Sequence, residues 1–462
     1  MKKRSNQQEA TKDGLKNRLK TSEKKKKDMS SRERVQLLQR KLYLKAKEEK
    51  DYKFYVLYDK VFVWYVLEES WRRVKANRGR SGVDGETFEG IEERGLSKFL
   101  KDLGEDLRKQ TYRSQAILRV EIDKEGGGKR KLGIPTIRDR VAQMACKLII
   151  EPLFEADFIE ESYGFRPKRS AHGAIKSIKG ELKKGKVEVY DADMSNYFDT
   201  IPHDKLEIAL RERISDKRIL ELIKKWLRAP VREDKQNKGG RGIKVGTPQG
   251  GVISPLLSNI YLNLLDRIIV NPQSIFGKHE VSIIRYADDF VLMGSSIREE
   301  VKRKLQELLG RMGLQLNEKK SQQVSAKEER FDFLGFTISY EPSKYNNKKR
   351  YWRIEPSQKS QRKLCRKLKE KLRKIGHYPP EMVANELNAI LRGWLNYYEV
   401  KGVSYPKIAQ WNIRYYLQER LYRYYNRKSQ RKSRLYRQQA YEKLVQKYGL
   451  IDLTKAWRKA PL

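Results

Sequence analysis

The feature that most constrains this chain is a pair of adjacent acids, Asp288-Asp289, set between two apolar runs. Ile283-Ile-Arg-Tyr286-Ala precedes them and Phe290-Val-Leu-Met293 follows. Runs of this length and composition read as strands. A second acidic strand lies upstream, Val187-Glu-Val-Tyr-Asp191-Ala-Asp193-Met-Ser-Asn-Tyr-Phe198-Asp199. Positions 187, 189, 191 and 193 share one face of a strand, so Asp191 and Asp193 end an apolar row. Buried carboxylates are costly unless they pair or bind a metal. With no His or Cys nearby, these acids are hard oxygen ligands suited to Mg²⁺ or Mn²⁺, with water and phosphate oxygens completing an octahedron. Two such ions can activate an attacking 3′ hydroxyl and stabilise a leaving pyrophosphate. The plainer reading is a hairpin turn with solvated acids. Tyr286, the flanking apolar strands and the second acidic strand weigh against it.

Charge supplies the partner class. Lys and Arg number 103 against 60 Asp and Glu, a net +43 in 462 residues. Residues 1–50 carry net +11, residues 343–462 net +23, and the 292 residues between only +9. The ends are polycationic, and the chain also holds 26 Tyr, a combination that points to nucleic acid. The most apolar stretch, residues 54–67, is interrupted by Asp59 and Lys60, too short a run to span a membrane. The basic N-terminus lacks a signal-peptide core. Two cysteines, Cys146 and Cys365, and His172, His203, His279 and His377 do not make a zinc module. A reduced, cytoplasmic setting is expected.

Residues 1–30, with Lys24 to Lys27 in a row, read as a solvated tail. A helix is expected from Ser31 to Lys50, and a buried helix over 54–67 with Val74, leading into a turn-rich loop at 77–85. An amphipathic helix follows over 96–110. Strands at 118–122 and 129–134 flank a Gly126–Gly128 turn. Residues 141–153 read as helical, 187–340 as alternating strand and helix, and 357–425 as helical and strongly basic.

Tyr286-Ala-Asp288-Asp289 resembles the catalytic motif of reverse transcriptases, and its Ala is typical of the group II intron family. In that family the upstream metal acid lies five residues before an aromatic that blocks a ribose 2′-hydroxyl. The resemblance therefore implies Asp193 and Phe198, with the Met194 carbonyl as a further metal ligand and Asp191 as a supporting acid. Gly246-Thr-Pro-Gln249-Gly-Gly251, followed by Ser254-Pro255, resembles the family's template and nucleotide platform. Lys124-Glu-Gly-Gly-Gly-Lys-Arg130 resembles its fingers hairpin, which implies Lys124 and Arg130 on the incoming triphosphate. Arg138 and Arg140 follow, where Arg could support the same site. Ser162-Tyr-Gly-Phe165-Arg-Pro167 matches another fingers segment, in which His172 reads as a packed or capping histidine. Residues 77–85 resemble a loop that lies along the template. Phe331-Asp-Phe-Leu334-Gly335-Phe336 resembles the primer grip, and Arg392-Gly393-Trp394 with Tyr397-Tyr398 the thumb, where Trp394 reads as core.

These matches run in the family's order from about residue 75 to 400. They imply an α+β, right-hand polymerase fold with an antiparallel palm sheet packed on helices and an α-helical thumb. The expected division is a basic extension (1–50), N-terminal extension loop and fingers (51–185), palm (186–342), thumb or maturase domain (343–425) and a basic segment (426–462), a candidate reduced DNA-binding region. The implied activity is RNA-directed DNA synthesis with catalytic Asp193, Asp288 and Asp289, nucleotide-binding Lys124, Arg130, Phe198 and Gln249, and two Mg²⁺ ions, Mn²⁺ being an alternative. The implied partners are an RNA template with a DNA or RNA primer, dNTPs, a structured intron RNA whose splicing it assists, and a DNA target. No Cys/His-rich block resembling an endonuclease follows residue 426, so target cleavage by this chain is not expected. Two alternatives stay open: a free-standing reverse transcriptase serving defence or spacer acquisition, and a splicing cofactor with little polymerase activity.

Overall fold

In the computed structural model, residues 29–123, 128–233, 241–242, 245–343, 346–375 and 378–454 are described. Helix Ser31–Glu48 starts at a capping box: the Glu33 amide donates to Ser30 Oγ (3.3 Å) while the Ser30 amide donates to Glu33 Oε2 (2.8 Å). Val35, Leu42 and Ala46 bury its inner face against helices Trp64–Ala76 and Ile137–Glu155. Residues 31–48 thus belong to the packing of the fingers. The helix expected over 54–67 is broken. A short helix, Tyr58–Val61, and extended Val63 precede Trp64–Ala76. The cause is distant in sequence: Asp216 Oδ2 accepts from the Leu57 and Tyr58 amides (2.8 and 2.9 Å), and the Phe54 backbone pairs with the segment around Ile214.

The strands in chain order are β1 (Ile117–Asp123), β2 (Lys129–Ile134), β3 (Glu188–Ala192) and β4 (Pro230–Arg232). Then come β5 (Arg241–Gly242), β6 (Ser282–Tyr286), β7 (Asp289–Gly294) and β8 (Gln322–Ser325). The last are β9 (Phe331–Phe333), β10 (Phe336–Ser343) and β11 (Asn346–Pro356). They form three sheets, ordered β2-β1-β4-β5, β6-β7-β3-β8 and β11-β10-β9. In the second, the palm sheet, every neighbouring pair is antiparallel. Its apolar residues Val189, Ile283, Ile284, Val291 and Leu292 are fully buried, and helices Ala171–Lys183 and Ser254–Val270 pack on β6. Short parallel pairing of β1 with β4 extends the fingers hairpin.

The β9–β10 turn passes through Leu334 (φ 49°) and Gly335 (φ 78°). A Cβ on Gly335 would stand 2.7 Å from Tyr398 Oη, so a side chain there would push the Tyr398 hydroxyl aside as well as strain the left-handed turn. The Gly335 carbonyl accepts from Ser360 Oγ and from the Ser357 amide, both at 2.9 Å. Phe336 packs on the rings of Tyr397 and Tyr398. The boundary expected between 342 and 343 falls inside β10, and the first thumb helix, Gln358–Lys374, begins only after β11. Helices Pro380–Tyr398 and Lys407–Tyr425 complete a core with Leu364, Leu391, Ile413 and Leu417. Trp394 lies in that core. Beyond 426, helix Ala440–Lys447 packs on Lys407–Tyr425, and Leu444, Leu450 and Leu453 join the same core.

Candidate active site

The two-residue turn Ala287-Asp288 joins β6 to β7, with Tyr286 paired to Asp289 across it. Ala287 is left-handed (φ 60°), a conformation that favours glycine in such a turn. The acids therefore do sit on a hairpin turn, but the turn is packed. A Cβ on Gly164 would lie 2.2 Å from the Ala287 amide nitrogen, so the two backbones touch.

β3 lies beside β7 and brings Asp191 opposite Val291, with Asp193 just past the strand end. Its register puts Asp191, Asp193, Asp288 and Asp289 close enough to repel one another. Burial, then Asp193 and Asp332, push the Asp191 carboxyl up to about 6. Burial also raises Asp288, against the opposing pull of Arg130. For Asp289, lost hydration and then the charges of Asp288, Asp193 and Asp191 push the carboxyl up to about 6. Lys320 Nζ stands 3.3 Å from Asp193 Oδ2, and the Asp193 amide donates to Ser321 Oγ (3.2 Å). An isolated bridge pairs Met194 with Leu316. The backbone bonds flanking Met194 run from Asn317 N to the Asp193 carbonyl and from Ser195 N to the Gln315 carbonyl.

The nucleotide-binding candidates meet as well. Arg130 Nε on β2 donates to Gln249 Oε1 (2.8 Å), and the Gly133 amide donates to the Gln249 carbonyl (2.6 Å). Gly250 (φ 112°) allows this approach, since a Cβ there would lie 2.3 Å from the Gly133 oxygen. Phe198, buried against Tyr197, is tied to the same loop by its carbonyl, which accepts from the Thr247 amide (2.7 Å). His203 Nε2 donates to the Gly246 carbonyl (2.7 Å). Lys124 lies outside the described residues.

Other expectations resolve into structural roles. Arg138 pairs with Asp106. Arg140 Nε donates to the Pro135 carbonyl (3.0 Å) and its Nη2 to the Arg80 carbonyl (2.5 Å), so it staples the 77–85 loop to the fingers. Ser170, not His172, caps helix Ala171–Lys183; His172 Nε2 donates to the Tyr397 carbonyl (2.7 Å), joining that helix to the thumb. Sequence reasoning missed Lys320, which sits in a run of solvated charges. It also passed over Arg285, although a cation inside an apolar strand is a signal that a buried partner exists.

An antiparallel palm with clustered acids at one hairpin, faced by a cationic fingers hairpin and followed by a helical thumb, defines a right-hand nucleic-acid polymerase. The reverse transcriptase (RNA-dependent DNA polymerase) family matches residues 122–338, and the group II intron maturase-specific domain matches residues 361–444. Protein YkfC of Escherichia coli K12 is 35% identical over 316 residues, covering 60% of this chain and 81% of that protein. Group II intron-encoded protein LtrA of Lactococcus lactis subsp. cremoris is 35% identical over 219 residues, 47% of this chain and 35% of LtrA. A 91 kDa protein in the cob intron of Schizosaccharomyces pombe is 36% identical over 209 residues, 45% of this chain and 25% of that one. The chain thus spans about a third of LtrA and a quarter of the yeast protein. The chain belongs to the reverse transcriptase/maturase family of group II introns. Its enzyme class is RNA-directed DNA polymerase. Among the described residues no helix is long and apolar enough to cross a membrane.

Proposed function

We propose that the chain extends a DNA or RNA primer along an RNA template at the cleft where Asp193, Asp288 and Asp289 meet, and that it grips a structured intron RNA to assist splicing and mobility at a DNA target. The observation that carries the first part is the convergence of these acids opposite the Arg130–Gln249 pair. The donor set fits Mg²⁺, with Mn²⁺ as a substitute: carboxylates and a backbone carbonyl, at Met194, with no sulfur or imidazole. Among the described residues no group of three or more His, Cys, Asp or Glu side chains forms a ready cage for a metal. Mg²⁺ needs no such cage, since it takes one or two carboxylates and fills its shell with water and substrate phosphate. Two ions held there would activate the primer 3′ hydroxyl and neutralise charge on the leaving pyrophosphate.

The rest is positioning by the chain itself. Arg130 offers a planar cation to the triphosphate, with Lys124 assigned beside it by family resemblance. Gln249 contacts the nascent pair without adding net charge. Phe198 walls the sugar and favours a deoxyribose. The maturase-domain match and the cationic flanks support the RNA grip. Helix Gln358–Lys374 buries Leu364, Leu368 and Leu372 and exposes Arg362, Lys363, Arg366 and Lys367 along its outer face. Such a face adds salt-dependent affinity with each phosphate it neutralises.

Primer extension on poly(rA)/oligo(dT) with Mg²⁺ tests the polymerase reading. DNA product is expected. Absence of product under conditions where the protein binds the duplex overturns it.

A further inference from the structure

Behind the Ala287-Asp288 turn lies an ion pair with no solvent access. Arg285, at the penultimate position of β6, and Asp266, on helix Ser254–Val270, are both fully buried. Arg285 Nε donates to Asp266 Oδ1 and Oδ2 (2.9 and 3.0 Å). Its Nη1 donates to Asn259 Oδ1 (2.9 Å) and to the Ala287 carbonyl (2.8 Å). Asn259, two turns before Asp266 on the same helix, turns its Nδ2 to the Gly164 carbonyl (2.8 Å). Gly164 is the residue whose backbone presses on Ala287. The Arg285 backbone is held too: its amide donates to the Glu161 carbonyl (2.9 Å), and its carbonyl accepts from the Tyr163 amide (2.8 Å).

A buried ion pair is a poor way to gain stability. Desolvating both charges costs several kcal/mol per ion, and well-packed apolar residues often do as well. What the pair supplies here is direction. A left-handed Ala287 has no intrinsic preference for its conformation. The guanidinium fixes it by holding its carbonyl, while Asn259 fixes the turn at Gly164 that packs on its amide. Asp266, which holds the guanidinium, and Asn259 stand on one helix, and that helix starts just after the Gln249 loop. One rigid rod therefore sets the distance between the platform and the acids.

We propose that Arg285, with Asp266 and Asn259, is a positioning residue for the reaction: it locks the Ala287-Asp288 turn so that Asp288 and Asp289 hold their cations in register with Gln249. This rests on the polymerase reading of the cleft. Arg285 does not touch substrate, and acts only through the turn.

The test uses the full chain. The double variant Arg285→Met/Asp266→Leu removes both charges and keeps the volume, so a normal or raised melting temperature is expected. Arg285→Lys keeps the charge but cannot reach Asp266, Asn259 and Ala287 together, and serves if the double variant does not fold. In either variant primer–template affinity should match wild type. Mn²⁺ affinity, read by electron paramagnetic resonance of the protein–duplex complex, should fall about tenfold or more, as should single-turnover incorporation. Amide exchange at residues 287–289 should speed up. A folded variant with wild-type Mn²⁺ affinity and wild-type exchange at the turn overturns the proposal. If wild type itself neither binds Mn²⁺ nor extends a primer, the polymerase reading fails instead, and the exchange measurement still reports whether the brace holds the turn.

Discussion

The two sides of one hairpin turn follow opposite electrostatic rules. Behind it, Arg285 and Asp266 cancel each other in a site closed to water, with each polar atom given a partner. In front, four carboxylates crowd an open cleft, with Lys320 and Arg130 partly offsetting them. Only Tyr286 and Ala287 separate Arg285 from Asp288 in sequence. The neutral side fixes geometry, and the uncompensated side stores a demand for cations. Stability alone would arrange neither in this way, since like charges repel and buried pairs are costly. The contrast marks which side does chemistry.

The largest effect that would break this contrast is at the front. Asp288→Ala should cut primer extension by about 10³-fold, the scale of losing Lewis-acid stabilisation, while leaving binding of the RNA duplex intact. If binding is lost as well, Asp288 belongs with the structural side. A smaller effect concerns selectivity at the wall of the cleft. Phe198→Ala should raise ribonucleotide incorporation relative to deoxyribonucleotide by about tenfold, seen as a change in the ratio of kcat/KM values. An unchanged ratio would place Phe198 in the core alone.

The smallest effect sharpens the charge argument. The Asp289 carboxyl titrates near 6 in the fold against an ordinary 3.8. The folded state therefore binds this proton more tightly, and wild type loses stability as pH rises from about 4 through about 6. Asp289→Asn should melt on the order of one to a few degrees above wild type at pH 7 in EDTA, with the gain fading as pH falls towards 4. Saturating Mg²⁺ should shrink it too. A variant no more stable than wild type at pH 7 would mean that the crowding carries no energetic weight.

Much of this site could be read along the chain, because its strands obey short-range rules. The apolar runs around Asp288-Asp289 gave β6 and β7, the alternation over 187–193 put Asp193 at a strand end, and the family resemblance singled out Phe198. The β1–β2 hairpin followed from the same alternation, while the α+β palm and the fingers role came with the family resemblance. What escaped depends on contacts across the chain. The break before Trp64 is imposed by Asp216, a residue some 150 positions away that caps amides its own sequence neighbourhood says nothing about. Asp266 and Asn259 sit on a helix whose composition is that of any buried helix, and only the docked strand shows them to be one half of a brace. Arg138 and Arg140 look like active-site cations in sequence, yet each is spent on a nearby loop or helix.

The glycine at the β9–β10 turn has a consequence for how such proteins can be recombined. Gly335, Ser360 and Tyr398 meet within hydrogen-bonding distance, although one belongs to the hairpin and two to the thumb. A chimaera that exchanges thumbs between relatives at a seam near residue 357 would inherit the hairpin tip from one parent and its socket from the other. These three positions travel as a set, so a productive crossover must lie upstream of Phe331 or carry matched residues on both sides.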